Sequence, residues 1–298
     1  RKSYLSDLSH LRRINDPVPP DAKVSVDRRR LHGSQYGCVC PTETPEGGNV
    51  GLRKALSMMS DVSFGCSPIE LIKLVKNMGL VQIGDIHPRE MYGKTKVFVN
   101  GVWIGIHLSP EKLYTHLLLY RRNGLLNVYT SIAWYKEKDE IICCTDQGRF
   151  CRPLYIVENN RINIEPSIIE KTKKGELKWG NLLSGFNKRK SEFSYFDCNT
   201  YNIEQLELNL DIDERKASKE DIDAEIIKEL HKKQAVIEYL DAEELNTRML
   251  SPKFDVMRNH DSELTKYTHC ELHPSLIFGT SAFYLAFIQN NPAQRASM

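Results

Sequence analysis

Two carboxylates and a run of arginines lie close together near the start of the chain. Glu43 and Glu46 sit in the stretch Arg30-Leu-His-Gly-Ser-Gln-Tyr-Gly-Cys-Val-Cys-Pro-Thr-Glu-Thr-Pro-Glu-Gly-Gly-Asn-Val-Gly-Leu52, directly after Arg28 and Arg29. Paired carboxylates could serve as general acid and base, but three residues of spacing in a Pro-broken loop fixes no carboxyl separation, so capping is the ordinary reading. Guanidinium forks beside such acceptors also suit phosphates and whatever holds them. A charge run is more often a solvated face, and the arginines alone leave both readings open. A second constellation, His269, Cys270, Glu271 and His273, has the residue types of a metal site. Three of these in a row on extended chain point apart, and the eight cysteines contain no Cys-x-x-Cys pair, so neither zinc nor a disulfide framework is expected.

The elements that position these residues follow from local signals. Glycine and proline are too dense between Arg30 and Leu52 for a helix or a central strand, which makes the stretch a shaped loop. Residues 14–27, with three prolines and no apolar period, read as an exposed loop. Ser67-Pro-Ile-Glu70 is a capping box that starts a helix closed by Gly79. Asn100-Gly101 between β-formers predicts a hairpin with a type I′ turn. Ser109-Pro-Glu starts a helix that buries Leu113, Leu117 and Leu118 and runs to Arg121, Arg122 and Gly124. Strands are expected at 131–135 and 140–145, then a turn at Asp146-Gln-Gly148. A further strand spans 149–157, where Pro153 implies an edge or a bulge. The signal weakens over 166–234, apart from a helix expected from Ser218 to Leu230. Trp103, Trp134 and Trp179 read as core rather than as base-stacking platforms.

Composition bounds the class. With 298 residues, 41% of them apolar and 27% charged, the chain is globular and long enough for two or three domains. The net charge of +2 hides an asymmetry: residues 1–54 hold ten Lys/Arg against six Asp/Glu, and 204–263 hold nine against seventeen. A nucleic-acid face is therefore expected at the amino-terminal end. No apolar run reaches the length of a membrane span, no membrane partner is expected, and the cysteines fit a reducing compartment. A chain running from Arg1 to Met298 reads as an internal piece of something larger.

Three blocks then recur in order: Leu-Ser-His-Leu-Arg-Arg at 8–13, Arg-Leu-His at 30–32 and Cys-Pro-Thr-Glu-Thr-Pro-Glu-Gly at 40–47. They resemble the fork region of the second-largest (β-type) subunit of multisubunit DNA-directed RNA polymerase. Val-Phe-Val-Asn-Gly-Val-Trp at 97–103, Thr-Asp-Gln-Gly-Arg at 145–149 and Arg-Pro-Leu-Tyr-Ile-Val at 152–157 resemble its first external domain. Tyr267-Thr-His-Cys-Glu-Leu-His-Pro-Ser-Leu276 and Asn290-Asn-Pro-Ala-Gln-Arg295 extend the match.

The resemblance implies an α+β, multi-domain chain of mixed helices and antiparallel sheets. Its expected regions are a fork at 1–63, an external 1 domain at 64–165, an external 2 region at 166–271 and the start of the hybrid-binding domain at 272–298. It implies substrate contacts at Glu46, Arg30 and Arg295, and nucleic-acid contacts at Arg12, Arg13, Lys23, Arg29 and Lys54. Glu43 braces the loop. No catalytic residue is expected in this piece, since the family's Mg²⁺ ions are held by the largest subunit. Implied partners are that subunit, the smaller polymerase subunits, the DNA template, the RNA transcript and nucleoside triphosphates. The style is nuclear or that of a large DNA virus, which places the enzyme in the nucleus, or in host cytoplasm and virion. The competing readings are a non-catalytic scaffold and a single-strand nucleic-acid-binding module.

Overall fold

A computed structural model describes residues 3–19, 25–185, 227–228, 230–259 and 266–291. The helix expected from Ser218 lies almost wholly outside these residues, as do Lys23 and Arg295.

Ser3 accepts a bond from the Ser6 N–H and starts α1 (Tyr4–Leu11). β1 (Arg13–Asn15) pairs antiparallel with β2 (Arg53–Ala55), so Ile14 and Asn15 are strand residues, not loop as expected. Three residues are too few to show a period in sequence. β3 (Asp61–Val62) comes next. Ser67 then caps α2 (Pro68–Asn77) through the Ile69 N–H, and Gly79 closes it at φ 96°. β4 (Val81–Gln82) leads to β5 (Thr95–Val99) and β6 (Val102–His107), joined through Asn100 and Gly101 at φ 49° and 79°. Positive dihedrals at both turn residues are those of the expected type I′ turn.

α3 (Pro110–Arg122) packs above these strands, and β7 (Ser131–Tyr135) and β8 (Glu140–Cys144) complete a five-stranded sheet in the order β4-β6-β5-β8-β7. The β5–β8 pair is parallel and the rest antiparallel, so the sheet is mixed. Leu71, Leu74 and Val75 of α2 meet Leu113, Leu117 and Leu118 of α3 on Val97, Val99, Ile132 and Ile141, which forms the first core. Trp134 packs beside this core, but Trp103 lies half-buried on the sheet and Trp179 is 37% exposed. The core assignment therefore fails for Trp179 and holds only in part for Trp103, whose indole N–H donates to the Gly105 carbonyl at 2.8 Å.

The second sheet is built on β9 (Phe150–Glu158). β10 (Arg161–Ile162) folds back on its end; α4 (Pro166–Lys173) and α5 (Trp179–Ser184) follow. β11 (Ile237–Asp241) runs antiparallel along one side of β9 and continues into α6 (Ala242–Leu245). After β12 (Leu250–Ser251) and α7 (Phe254–Asn259), β13 (His269–Cys270) pairs with β9 on the other side, beside β3. α8 (Thr280–Phe283) packs back on α1.

β9 is thus an interior strand, contrary to the reading of Pro153. The exception has a backbone reason. The Ile156 N–H donates to Val236 on the β11 side, and the Val157 N–H donates to Thr268 on the β13 side. Pro153 shares the parity of Val157, so its missing donor faces the side of β3 and β13. There β3 covers residues 150–151 and β13 covers 155–156, and Pro153 falls in the gap between them.

Between the two sheets lies a buried charge network. Arg121, 1% exposed, donates to both Glu238 and Glu244, and also to the Thr130 carbonyl. Arg122 donates to both oxygens of Glu238 at 2.8 and 3.1 Å, and His269 lies 2.6 Å from the same carboxylate. Burial pushes Glu238 up, but Arg122 and Arg121 outweigh it and hold its carboxyl well below the usual range. An ionised carboxylate only accepts, so the His269 Nε2 carries the proton. Burial pushes His269 down to about 4 against the pull of Glu238, so the ring is neutral.

Two outcomes are expected. Arg121→Met leaves two buried carboxylates short of their counter-charge and should cost about 3–5 kcal/mol in urea unfolding; a change below about 1 kcal/mol would show that the network contributes little. The second concerns acid. Between about pH 4 and 6.5 the unfolded state binds the His269 proton and the folded state does not, so stability falls as pH falls through that window. His269→Gln, which keeps a donor for Glu238 without titrating, should flatten that slope.

Candidate nucleic-acid interface

The glycine- and proline-rich loop between Arg30 and Leu52 is held from beneath by side chains that the sequence places far apart. Glu43, 7% exposed, accepts from the Ser9 hydroxyl of α1 at 2.5 Å. Behind it stands Gly279, where a Cβ would lie 2.5 Å from the other carboxylate oxygen. The Ser57 hydroxyl donates to the Ile277 carbonyl, and the Met58 N–H to the Phe278 carbonyl. Glu43 is thus a buried brace between α1, the loop and the segment leading into α8.

On its other flank the loop docks on the second sheet. Arg152 of β9 forms a bidentate pair with Glu271 at 2.7 and 2.8 Å, and Tyr36 covers the guanidinium with its ring centroid at 5.0 Å. Gly37, at φ 71°, passes so close that a Cβ there would meet the Arg152 guanidinium at 2.1 Å. Only glycine suits both the dihedral and the approach.

The charged candidates separate on this frame. The Nη2 atom of Arg12 donates to the carbonyls of Ser57, Met58 and Ser60, at 2.7, 3.3 and 2.8 Å. Arg29 donates to the carbonyls of Gly48 and Val50 and so ties the arginine run to the turn after Glu46. Gly51 permits this, because a Cβ there would sit 2.4 Å from the Arg29 carbonyl oxygen. Arg28 pairs with Asp16, and Arg30 with Asp27 at 3.3 Å. Lys54 donates to the Arg28 carbonyl at 3.5 Å. Glu46 is exposed at the start of the turn Gly47–Asn49 and caps nothing with its side chain. Arg13 is exposed on β1. The structure therefore ties Arg29 to the turn after Glu46 and Lys54 to the backbone of the arginine run, while Arg28 and Arg30 turn to aspartates. Among the described residues no group of three His, Cys, Asp or Glu stands together as a metal site, and His269 and Glu271 are engaged with Glu238 and Arg152.

Comparison with known proteins follows this layout. The family description RNA polymerase Rpb2, domain 3 matches residues 1–62, domain 4 matches 97–158 and domain 5 matches 228–274, in chain order. The chain belongs to the family of second-largest RNA polymerase subunits. It is 34% identical to DNA-directed RNA polymerase II subunit RPB2 of Encephalitozoon cuniculi over 99% of this chain and 22% of that protein. Its namesake in Schizosaccharomyces pombe is also 34% identical, over 99% of this chain and 24% of its own length. DNA-directed RNA polymerase subunit 2 of Acanthamoeba polyphaga mimivirus is 25% identical over 99% and 23%. The chain thus spans between a fifth and a quarter of the length of these relatives.

The Rpb2 matches meet at β9: the strand lies in the domain 4 match, β3 in the domain 3 match, and β11 and β13 in the domain 5 match. Sequence reasoning missed the residues that join them, Arg121, Arg152, Glu238, Glu244 and Glu271. It also passed over Arg53, whose one signal was its place in Gly51-Leu-Arg-Lys54.

Arg12 gives a direct check on the frame. Arg12→Ala removes three charge-assisted bonds to carbonyls from under β2 and should lower stability by about 1.5–3 kcal/mol in urea unfolding. Parent-like stability would mean that these bonds are not held in solution.

Proposed function

We propose that this chain is the part of the second-largest subunit of a DNA-directed RNA polymerase that shapes the template and nucleotide side of the active centre during templated RNA synthesis. The observation that carries the reading is the ordered run of three Rpb2 domain matches, with the fork loop of the first held on the sheet shared by the others. In this reading the chain works with the largest subunit, the smaller polymerase subunits, the DNA template, the transcript and nucleoside triphosphates. Nucleotidyl transfer uses two Mg²⁺ ions held by the largest subunit, which stabilise the attacking and leaving oxygens. The isolated chain is inactive. The RPB2 names of the eukaryotic relatives support a nuclear enzyme, and among the described residues no helix is long and apolar enough to cross a membrane.

Glu46, Arg30 and Arg295 act toward the nucleotide, and Arg13, Lys23, Arg29 and Lys54 toward nucleic acid. Arg12 serves that face by fixing the 57–60 turn beneath it. An exposed carboxylate beside arginines suits tuning of nucleotide addition rather than proton transfer.

The test uses the complete polymerase on a preassembled DNA–RNA scaffold. Glu46→Ala should change the elongation rate by a modest factor without abolishing bond formation. Arg295→Ala removes a charge-assisted phosphate contact of roughly 1.5–3 kcal/mol and should weaken apparent nucleotide affinity about ten- to a hundred-fold, with scaffold binding intact. If both variants assemble and add nucleotides like the parent, the scaffold reading replaces this one.

A further inference from the structure

Most basic side chains near the fork loop are engaged within the molecule: Arg12 and Arg29 by carbonyls, Arg28 and Arg30 by aspartates. Two are not. Arg13 and Arg53 are exposed, and among the described residues neither guanidinium has a hydrogen-bond or ion-pair partner. The register of the β1–β2 ladder sets them side by side. Arg13 pairs with Ala55 and Asn15 with Arg53, so Arg13, Asn15 and Arg53 share one face, and Ile14 and Lys54 share the other. Diagonal neighbours on an antiparallel ladder stand roughly 7–8 Å apart at Cα, within reach of long side chains. The carboxylate nearest in sequence, Asp16, is taken by Arg28, so the strip keeps its two positive charges.

We propose that Arg13 and Arg53, with the Asn15 amide between them, contact successive phosphates of a nucleic-acid strand; this rests on the polymerase reading and adds Arg53 to it. Two always-charged forks that give up no ion pair when they turn to a ligand are well suited to phosphate oxygens. The strip is a line of exposed donors running diagonally from β1 to β2, with the Ala55 corner of the same face buried. Such a line matches a repeating phosphate backbone, whereas the triphosphate of one nucleotide is held by donors converging on a point. Contacts of this kind position a strand and carry no sequence preference.

The experiment measures scaffold dissociation from the complete polymerase across a series of KCl concentrations, with assembly of each variant checked beforehand. Each phosphate contact contributes a slope of about 0.7–0.9 in log affinity against log salt. Arg53→Gln should make the slope shallower by about that amount, the double variant with Arg13→Gln by about twice as much, and Arg53→Lys should retain the parent slope. A parent-like slope for Arg53→Gln overturns the proposal. So does a raised nucleotide KM with an unchanged salt slope, which assigns the pair to the incoming triphosphate. A parent enzyme with no templated synthesis sinks the polymerase reading itself, and is recognised before any variant is compared.

Discussion

A carboxylate moved into a protein interior without a partner costs several kcal/mol or gives up its charge, and Glu238 does neither. It remains ionised because Arg121 and Arg122 approach from α3 and His269 from β13, each donating to it. That requirement fixes α3 over the second sheet within hydrogen-bond tolerance, which apolar packing alone would leave looser. Glu244, bound to Arg121, extends the constraint through α6 to the Ile132 N–H of β7, and Arg121 itself holds the Thr130 carbonyl. Asp241 adds the Ser131 hydroxyl and the Arg149 guanidinium. The two sheets are therefore coupled by fixed charges, and their relative position is specified rather than merely favoured.

The loop between Arg30 and Leu52 inherits that rigidity. Its contact with the second sheet is the Tyr36–Gly37 passage over the Arg152–Glu271 pair, and its contact with α1 and α8 runs through Ser9, Glu43 and Gly279. Glycine stands at two of these crossings because a guanidinium or a carboxylate occupies the space of a β-carbon. A loop so rich in proline and glycine has little regular structure of its own. Its shape is imposed from both sides by side chains anchored in sheets and helices.

What the sequence revealed was what short-range chemistry determines. Ser67 caps a helix, although Glu70 turns to Lys73 and does not close the expected box, and Asn100-Gly101 turns a hairpin; each needs only its immediate neighbours. The three polymerase blocks were legible as motifs. Arg121 and Glu244, by contrast, are 123 residues apart, and no periodicity links the arginine at the end of one helix to a glutamate in another. Trp103 and Trp179 misled because large aromatic residues are commonly buried, and nothing local says which face of a strand or a short helix meets solvent. In the arginine-rich segment, residue type predicted charge but not its engagement, so Arg12 and Arg53 exchanged apparent importance once partners were known.

Pro153 has a consequence for how β9 finds its place. The strand is flanked on both sides, and it has one position where a missing N–H does no harm, the gap between β3 and β13. A slip of one residue would turn that vacancy toward β11 and rotate Arg152 away from Glu271. A slip of two toward either short strand would set the vacancy against a carbonyl that needs a donor. The proline thus acts as a key cut for one alignment: it adds nothing to the correct ladder and penalises each neighbouring one, which suits a strand where three segments distant in sequence must meet.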